Sequence, residues 1–488
     1  MLWRECRSKQ KNMRNRTAQF ALLFLSLLGL RLAMPMAARS QNMPADQAPA
    51  QAASTPAQES SVEPITQNWN IHGQVTETPQ GDPAFPASYS GPNSLDSKGE
   101  VQETFTADLY AGARLWKGAE IHVDGLLWKG FGLTNDKGIE AFPNGDAFKL
   151  GTKNPHFMFA HLFLRETIGL GGKREPVPDS PLTLAGERDI SRLTITLGRL
   201  TPTDMFDNNT YAQDPHTQFM NWAMITNLSW DFPADSVGYT TGLVVELNQP
   251  RWAWRYGFFQ VPNTQNGFTA EDQVLTFPHG GGDGPFFRAW GMVTEFERRY
   301  ASTRPGTIRF LSFVNRANSI GYREAIPLLK ANGPGADLSS ARAYRRKYGF
   351  GLNWEQGITD DVGVFSRLGW NNGQVEGWMY NDSNWTASLG TRVKGTPWRR
   401  TSDAIGLAFV VSGASRSNQE FLEAGGADIL DGDGALTYGS EKVLEAYYNF
   451  AIWKSIHVSL DYAFVDNPAF NRDRGPVPVF GIRFHGQF

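Results

Sequence analysis

The sequence predicts an all-β protein: a transmembrane antiparallel β-barrel of about sixteen strands, with short periplasmic turns and long outer loops. Three observations predict it. From residue 67 to the end, segments of about ten residues alternate apolar and polar side chains, the period and length of a membrane-crossing strand. The front of the chain reads as an export signal, and no later stretch is apolar enough for a spanning helix. The joins between alternating segments tend to be short and long by turns.

Residues 1–40 are the expected signal peptide. Arg4, Arg7, Lys9, Lys11, Arg14 and Arg16 make a basic region, and Phe20–Leu30 is an apolar run too short to span a bilayer. Ala37, Ala38 and Ser40 suit cleavage, and Met13 is an alternative start. The only cysteine is Cys6, which excludes a disulfide scaffold and a cysteine-ligated metal. Cleavage would take the net charge from −3 to about −10, which argues against nucleic acid as a partner. Residues 41–66, rich in Ala, Gln, Pro and Ser without a hydrophobic period, are expected to be a disordered lead-in. The barrel domain is then 67–488.

Pattern alone places strands near 67–77, 101–116, 119–128, 157–169, 192–200, 237–248, 252–261, 287–299, 305–316, 347–356, 361–371, 384–394, 403–413, 441–453, 455–465 and 478–488. In the second, Phe105, Ala107, Leu109, Ala111, Ala113 and Leu115 alternate with Thr106, Asp108, Tyr110, Gly112 and Arg114. In the last, Phe480, Ile482, Phe484 and Phe488 alternate with Gly481, Arg483, His485 and Gln487. A strand with one oily and one charged face suits lipid outside and water inside, and the interior is expected to be hollow. A strand ending on Phe488 is also expected to engage the barrel-assembly machinery. Trp116, Trp128, Trp252, Trp254, Trp370, Trp385, Trp453 and Tyr462 lie near strand ends, as an interfacial aromatic girdle requires.

The densest polar join runs from Thr201 to Trp222 and mixes carboxylates, amides, a histidine and aromatics. Amides and carboxylates hydrogen-bond hydroxyls, and flat rings cover the apolar faces of sugars. An ordinary outer loop with Asx turns has the same composition. Here the chain resembles a known family. Leu197-Gly198-Arg199-Leu200, then Asp204, Phe206-Asp207-Asn208-Asn209, Tyr211, Asp214-Pro215, Thr217-Gln218-Phe219 and Asn221-Trp222 are similar to the signature region of the carbohydrate-selective porins known as OprB. Trp128–Thr134, Val364–Gly373 and Glu441–Pro468 resemble other parts of that family in order. Met205 and the 317–346 and 414–440 loops depart from its pattern.

The resemblance implies a monomeric or homotrimeric outer-membrane channel for small sugars and other small polar solutes, with no catalysed step and no cofactor. Arg199, Asp204, Asp207, Asn208, Asp214, His216 and Trp222 are the candidate constriction or sugar-contacting residues. The polar strand faces supply candidate lumen-lining residues: Asp108, Arg114, His122, Asp124, His161, Arg165, Arg367, Asn371, Arg392, Glu445, Asp461 and Arg483. Each of these has an alternative role in ion pairs that only stiffen the wall. No metal is expected. Asp428, Asp431 and Asp433 hint at calcium, but no EF-hand spacing is present. His279–Gly284 has the glycines of a phosphate cradle without its Gly-Lys-Ser/Thr ending. Arg342, Arg345, Arg346 and Lys347 would meet outer-membrane lipid and lipopolysaccharide if they face outward. The rival readings are a barrel enzyme acting on lipid or lipopolysaccharide, and a secreted β-rich glycan-binding protein.

Overall fold

The computed structural model describes residues 66–147, 151–267, 276–277, 288–301 and 303–488. The expected signal peptide, nearly all of the lead-in and the His279–Gly284 run lie outside these residues. Strands run in order as β1 (Trp69–Asp82), β2 (Glu100–Trp116), β3 (Ala119–Gly130), β4 (Thr152–Gly169), β5 (Arg174–Val177), β6 (Gly186–Asp189), β7 (Arg192–Leu200), β8 (Thr240–Gln249), β9 (Trp252–Gln260) and β10 (Thr276–Phe277). Then come β11 (Trp290–Ala301), β12 (Pro305–Ile320), β13 (Arg342–Gly357), β14 (Val362–Asn371), β15 (Trp385–Gly395), β16 (Arg400–Gly413), β17 (Glu441–Trp453), β18 (Ile456–Asp466) and β19 (Val477–Gln487).

Among the described residues, β5 and β6 pair with each other and β10 pairs with β4. The other 16 strands pair antiparallel with their neighbours in the chain, and β1 closes on β19 through Gln74↔Gln487 to Gly81↔Phe480. Closure leaves no sheet edge, which a bilayer without hydrogen-bonding water demands. Each of the sixteen expected segments overlaps one of these wall strands.

The period-two pattern sets which face meets lipid. On β19, Phe480, Ile482 and Phe484 are exposed outward, while Gly481, Arg483 and His485 are buried inward. The same register runs through Leu389, Leu407 and Phe409 outside and Ser388, Ala408 and Val410 inside. Burying a side chain of this size is worth about 1.5–3 kcal/mol, so a belt of them facing water would be prohibitive. Facing lipid tails it costs nothing.

One end carries the joins 117–118, 250–251, 302–304, 358–361, 396–399 and 454–455. Gly118 shows why they are tight: its φ is 98°, and a Cβ there would stand 2.6 Å from the Thr167 carbonyl. The wide join 170–191 is the exception at this end, and the β5–β6 hairpin occupies it. The other end carries the long loops.

Two expectations need correction. The interior is not an open cylinder. Loops 83–99, 131–147, 201–239, 372–384 and 414–440 contribute Phe85, Leu95, Phe142, Phe206, Trp222, Trp230, Tyr380 and Leu430 to an apolar core inside the wall. The short helix α1 (Trp222–Ile225) lies in that core, while α2 (Tyr322–Asn332) and α3 (Arg416–Glu423) share a second one, with Tyr322 and Phe421 rings 4.9 Å apart. Trp128 is also not in the girdle: it points inward, 3% exposed, against Met158 and Val237. Trp116, Trp254, Trp370, Trp453 and Tyr462 do face outward. The basic cluster divides likewise: Arg342 pairs with Glu376 and Arg345 with Glu324, and Lys347 is buried on the inward face of β13.

Candidate functional site

β7 delivers the chain to the loop end at Leu200, and Thr201–Tyr239 then folds back into the barrel. Pro202 opens a single 3₁₀ turn, Pro202–Asp204. Asp207 takes a left-handed φ of 58° and anchors the rest of the loop. Its Oδ2 accepts from Arg367 Nε at 2.9 Å and from the Asn227 amide at 2.9 Å, and its Oδ1 accepts from Asn353 Nδ2 at 2.7 Å. Its own amide donates to Glu295 at 2.7 Å. Arg367 spends its other nitrogens on the carbonyls of Met224 (2.7 Å) and Ala212 (2.8 Å).

The loop reaches the far wall at two further points. Glu445 Oε1 accepts from the Met220 amide at 2.6 Å. Arg483 donates to the carbonyls of Pro215 and Gln218 and to the Ser459 hydroxyl. A loop rooted on β7 is thus pinned to β11, β13, β14, β17 and β19 and crosses the lumen.

The pinned loop leaves one polar side open, toward β1–β4. Asp204, 28% exposed in its side chain, meets His161 Nε2 at 2.8 Å, and His161 Nδ1 meets Asp124 at 2.9 Å. Asp214, 40% exposed, meets His216 Nδ1 at 2.9 Å and accepts from the Thr217 hydroxyl at 2.5 Å. His216 Nε2 lies 3.2 Å from Asp146, and its ring stacks on His485 at 5.3 Å. Half-buried Asp108 accepts from Gln74 Nε2 at 3.0 Å, and that amide also reaches the Tyr110 hydroxyl at 3.1 Å. Half-buried Tyr239 sets its ring edge-on to His161. Burial alone would push the His216 imidazole down, but the charges of Asp146 and Asp214 carry it well above its ordinary value. Burial would push the Asp214 carboxyl up, and its bonds to His216 and Thr217 hold it below the usual carboxylate range instead.

The seven loop candidates divide by exposure. Asp204, Asn208, Asp214 and His216 keep a face open to the lumen. Arg199 is 2% exposed, paired with Asp235 at 2.9 Å, and Asp207 is 5% exposed. Trp222 is stacked on Phe142 and donates to Asn381. These three hold the loop in place. The twelve strand candidates lie on inward faces. Arg114 pairs with Glu120, whose other oxygen lies 3.3 Å from His122 Nε2. Arg165 donates to the Leu182 carbonyl, and Asn371 to those of Ser229 and Ser383. Glu445 and Asp461 are buried on β17 and β18, and half-buried Arg392 lies on β15.

The sequence reading missed an ion-pair ladder on the other side of the lumen. Arg255 meets Glu246 at 2.6 Å, Glu295 at 2.8 Å and Glu297 at 3.1 Å, and Arg309 meets Glu297 at 3.0 Å and Glu355 at 3.2 Å. The signal was present: Glu295 and Glu297 stand two apart in β11, and register sets Arg255 opposite Glu295 and Arg309 opposite Glu297.

Comparisons with known proteins give the family and the fold. The family model described as "Carbohydrate-selective porin, OprB family" matches residues 92–488. The solved high-pH structure of Pseudomonas putida OprB is similar at 15% identity over 86% of this chain and 94% of that one, with a TM-score of 0.64. The outer-membrane channel DcaP of Acinetobacter baumannii matches at 11% identity over 88% of this chain and 100% of that one, with a TM-score of 0.47. No curated protein matches the chain.

Proposed function

The chain belongs to the OprB family of carbohydrate-selective porins and is an outer-membrane channel for small solutes, and from that premise we propose that uncharged monosaccharides and short sugars are its preferred cargo. The observation that carries the reading is the open side of the pinned loop. Asp204 and Asp214 offer acceptors, Asn208 and Gln74 offer amides, and Tyr239 offers a ring, all partly exposed on one side of the lumen. Carboxylates and amides exchange hydrogen bonds with hydroxyls, and a ring covers a sugar's apolar face. Such contacts are weak singly, as passage requires, because a site that binds too well does not release. Fixed carboxylates exposed in the lumen repel sugar acids and tolerate cations.

Liposome swelling with purified protein tests the proposal. Glucose and arabinose should enter much faster than into protein-free liposomes, and glucuronate should lag behind glucose. Asp204→Asn should narrow the gap between glucose and glucuronate. Equal entry of glucose and glucuronate into liposomes carrying the unmodified protein would overturn the assignment of the carboxylates to selectivity. Glucose at the protein-free rate would overturn the cargo.

A further inference from the structure

A second polar centre lies in the loop assembly, away from the crossing loop's open side. Asp382, from the loop after β14, meets Asp428 and Asp431, from the loop after β16. One carboxylate oxygen of each lies within 4.8 Å of the others. Asp382 and Asp431 are fully buried and Asp428 is 7% exposed. Glu140, from the loop after β3, is fully buried and bonds the amide of Ser383, the residue after Asp382.

The hydrogen bonds in this cluster are unevenly shared: Asp428 Oδ1 accepts from Gln265 Nε2 at 2.8 Å, and its Oδ2 accepts from the Tyr322 hydroxyl at 2.8 Å and the Gly377 amide at 3.0 Å. Asp382 Oδ2 accepts from the Leu430 amide at 2.8 Å, and Glu140 Oε1 accepts from the Ser383 amide at 2.7 Å. The second oxygen of each, Asp382 Oδ1 and Glu140 Oε2, has no donor among the described residues, and neither does either oxygen of Asp431. Nearby buried acids are treated differently. Asp231 accepts from the amides of Trp378, Met379 and Tyr380 and lies 3.5 Å from Lys347 Nζ. Glu441 accepts from the amides of Glu140, Ala141 and Ala469. The fold satisfies a buried carboxylate where it uses one for packing, yet here four buried oxygens are left without a donor in one cluster. Carboxylates this close and this deeply buried repel one another and lose their hydration. A cation among them would reverse that penalty.

We propose that Asp382, Asp428 and Asp431 bind one calcium ion, which ties together two loops of the barrel's long-loop end. An all-oxygen donor set without His or Cys selects a hard cation. Calcium accepts a crowded, irregular set of carboxylate oxygens, whereas magnesium demands near-octahedral geometry and keeps most of its water. Sequence spacing had grouped Asp428 and Asp431 with Asp433. Asp433 turns instead toward Asn471 and Arg474, and Asp382 from another loop takes its place.

The test uses the full mature chain, stripped with EGTA and dialysed against radioactive calcium. The protein should take up one calcium per chain. Its thermal unfolding midpoint should rise with calcium, much less with equal magnesium, and fall back with EGTA. Asp382→Asn with Asp431→Asn relieves the repulsion, so this double variant should fold. It should bind no calcium at this site, and its unfolding midpoint should ignore calcium and EGTA. Asp433→Asn should keep both properties. An unmodified protein that takes up no calcium, or an uptake and midpoint shift that survive in the double variant, would overturn the site. The second outcome would mean calcium held elsewhere, as by residual lipopolysaccharide.

Discussion

On the side of the lumen built by β8, β9, β11, β12 and β13, every ladder carboxylate has a guanidinium within 3.2 Å, and Glu295 is fully buried. On the side facing β1–β4, Asp124, Asp146, Asp204 and Asp214 meet imidazoles, and Asp204, Asp214 and His216 remain 20–40% exposed. Both the residue types and their placement differ: the ladder sets Arg against Glu across neighbouring strands, whereas the open side sets His against Asp between wall and loops. Opposite charges placed across neighbouring strands neutralise one another and form a largely buried wall. The carboxylates of Asp204 and Asp214, held by histidines from the wall and the crossing loop, stay partly exposed to whatever passes. The difference shows that an inward-facing charge says little about a pore until its cross-strand partner is known.

The largest effect should come from the anchor that decides where the loop lies. Arg367→Met strands the buried Asp207 carboxylate, and removing one member of a buried pair costs about 3–5 kcal/mol. The urea midpoint of the refolded protein in lipid vesicles should drop accordingly, and single-channel currents should become noisy as the loop loosens. Adding Asp207→Asn should recover part of the loss. An unchanged midpoint for Arg367→Met would mean that the crossing loop is held by something else.

The wall was legible in the sequence because strand geometry is local. Side chains two apart share a face whatever the rest of the chain does, so the inward positions of Asp108, Arg367 and Arg483 follow from the pattern alone. The loop's place was not legible. Asp207 and Arg367 are 160 positions apart, and nothing near either residue encodes their meeting. Trp128 shows the same limit from the other side: a tryptophan near a strand end suggested the interface, but the parity of β3 turns it inward onto Met158. The candidate constriction was found as a composition, Asp, Asn and His together. Its division into exposed Asp204, Asp214 and His216 and buried Arg199, Asp207 and Trp222 depends on packing across the lumen.

A middle-sized pair of effects would sharpen the comparison. Asp204→Asn should lower the preference for cations over anions, read from reversal potentials in a salt gradient, and leave unfolding nearly unchanged because its carboxylate is partly solvated. Glu297→Gln on the ladder should do the reverse. It leaves Arg255 and Arg309 short of an acceptor, costing about 1–3 kcal/mol in the urea midpoint, with reversal potentials unmoved. If Glu297→Gln changes selectivity as much as Asp204→Asn, the ladder is not a buried wall and the contrast collapses.

The smallest effect concerns pH. His216 sits between Asp146 and Asp214, and its folded pKa lies above the unfolded value of about 6.5. The bound proton therefore stabilises the loop in full below pH of about 6.5, and that contribution is lost as pH rises through the raised folded value. The carboxyl of Asp214, held low, stays ionised across that window. Single-channel noise should be flat through neutral pH and increase only on the alkaline side. His216→Gln keeps a donor for one carboxylate but cannot titrate, so its noise should be modestly higher and independent of pH over the same range. A step near neutral pH in the unmodified protein, or an alkaline step that persists in His216→Gln, would place the titrating group elsewhere on the open side.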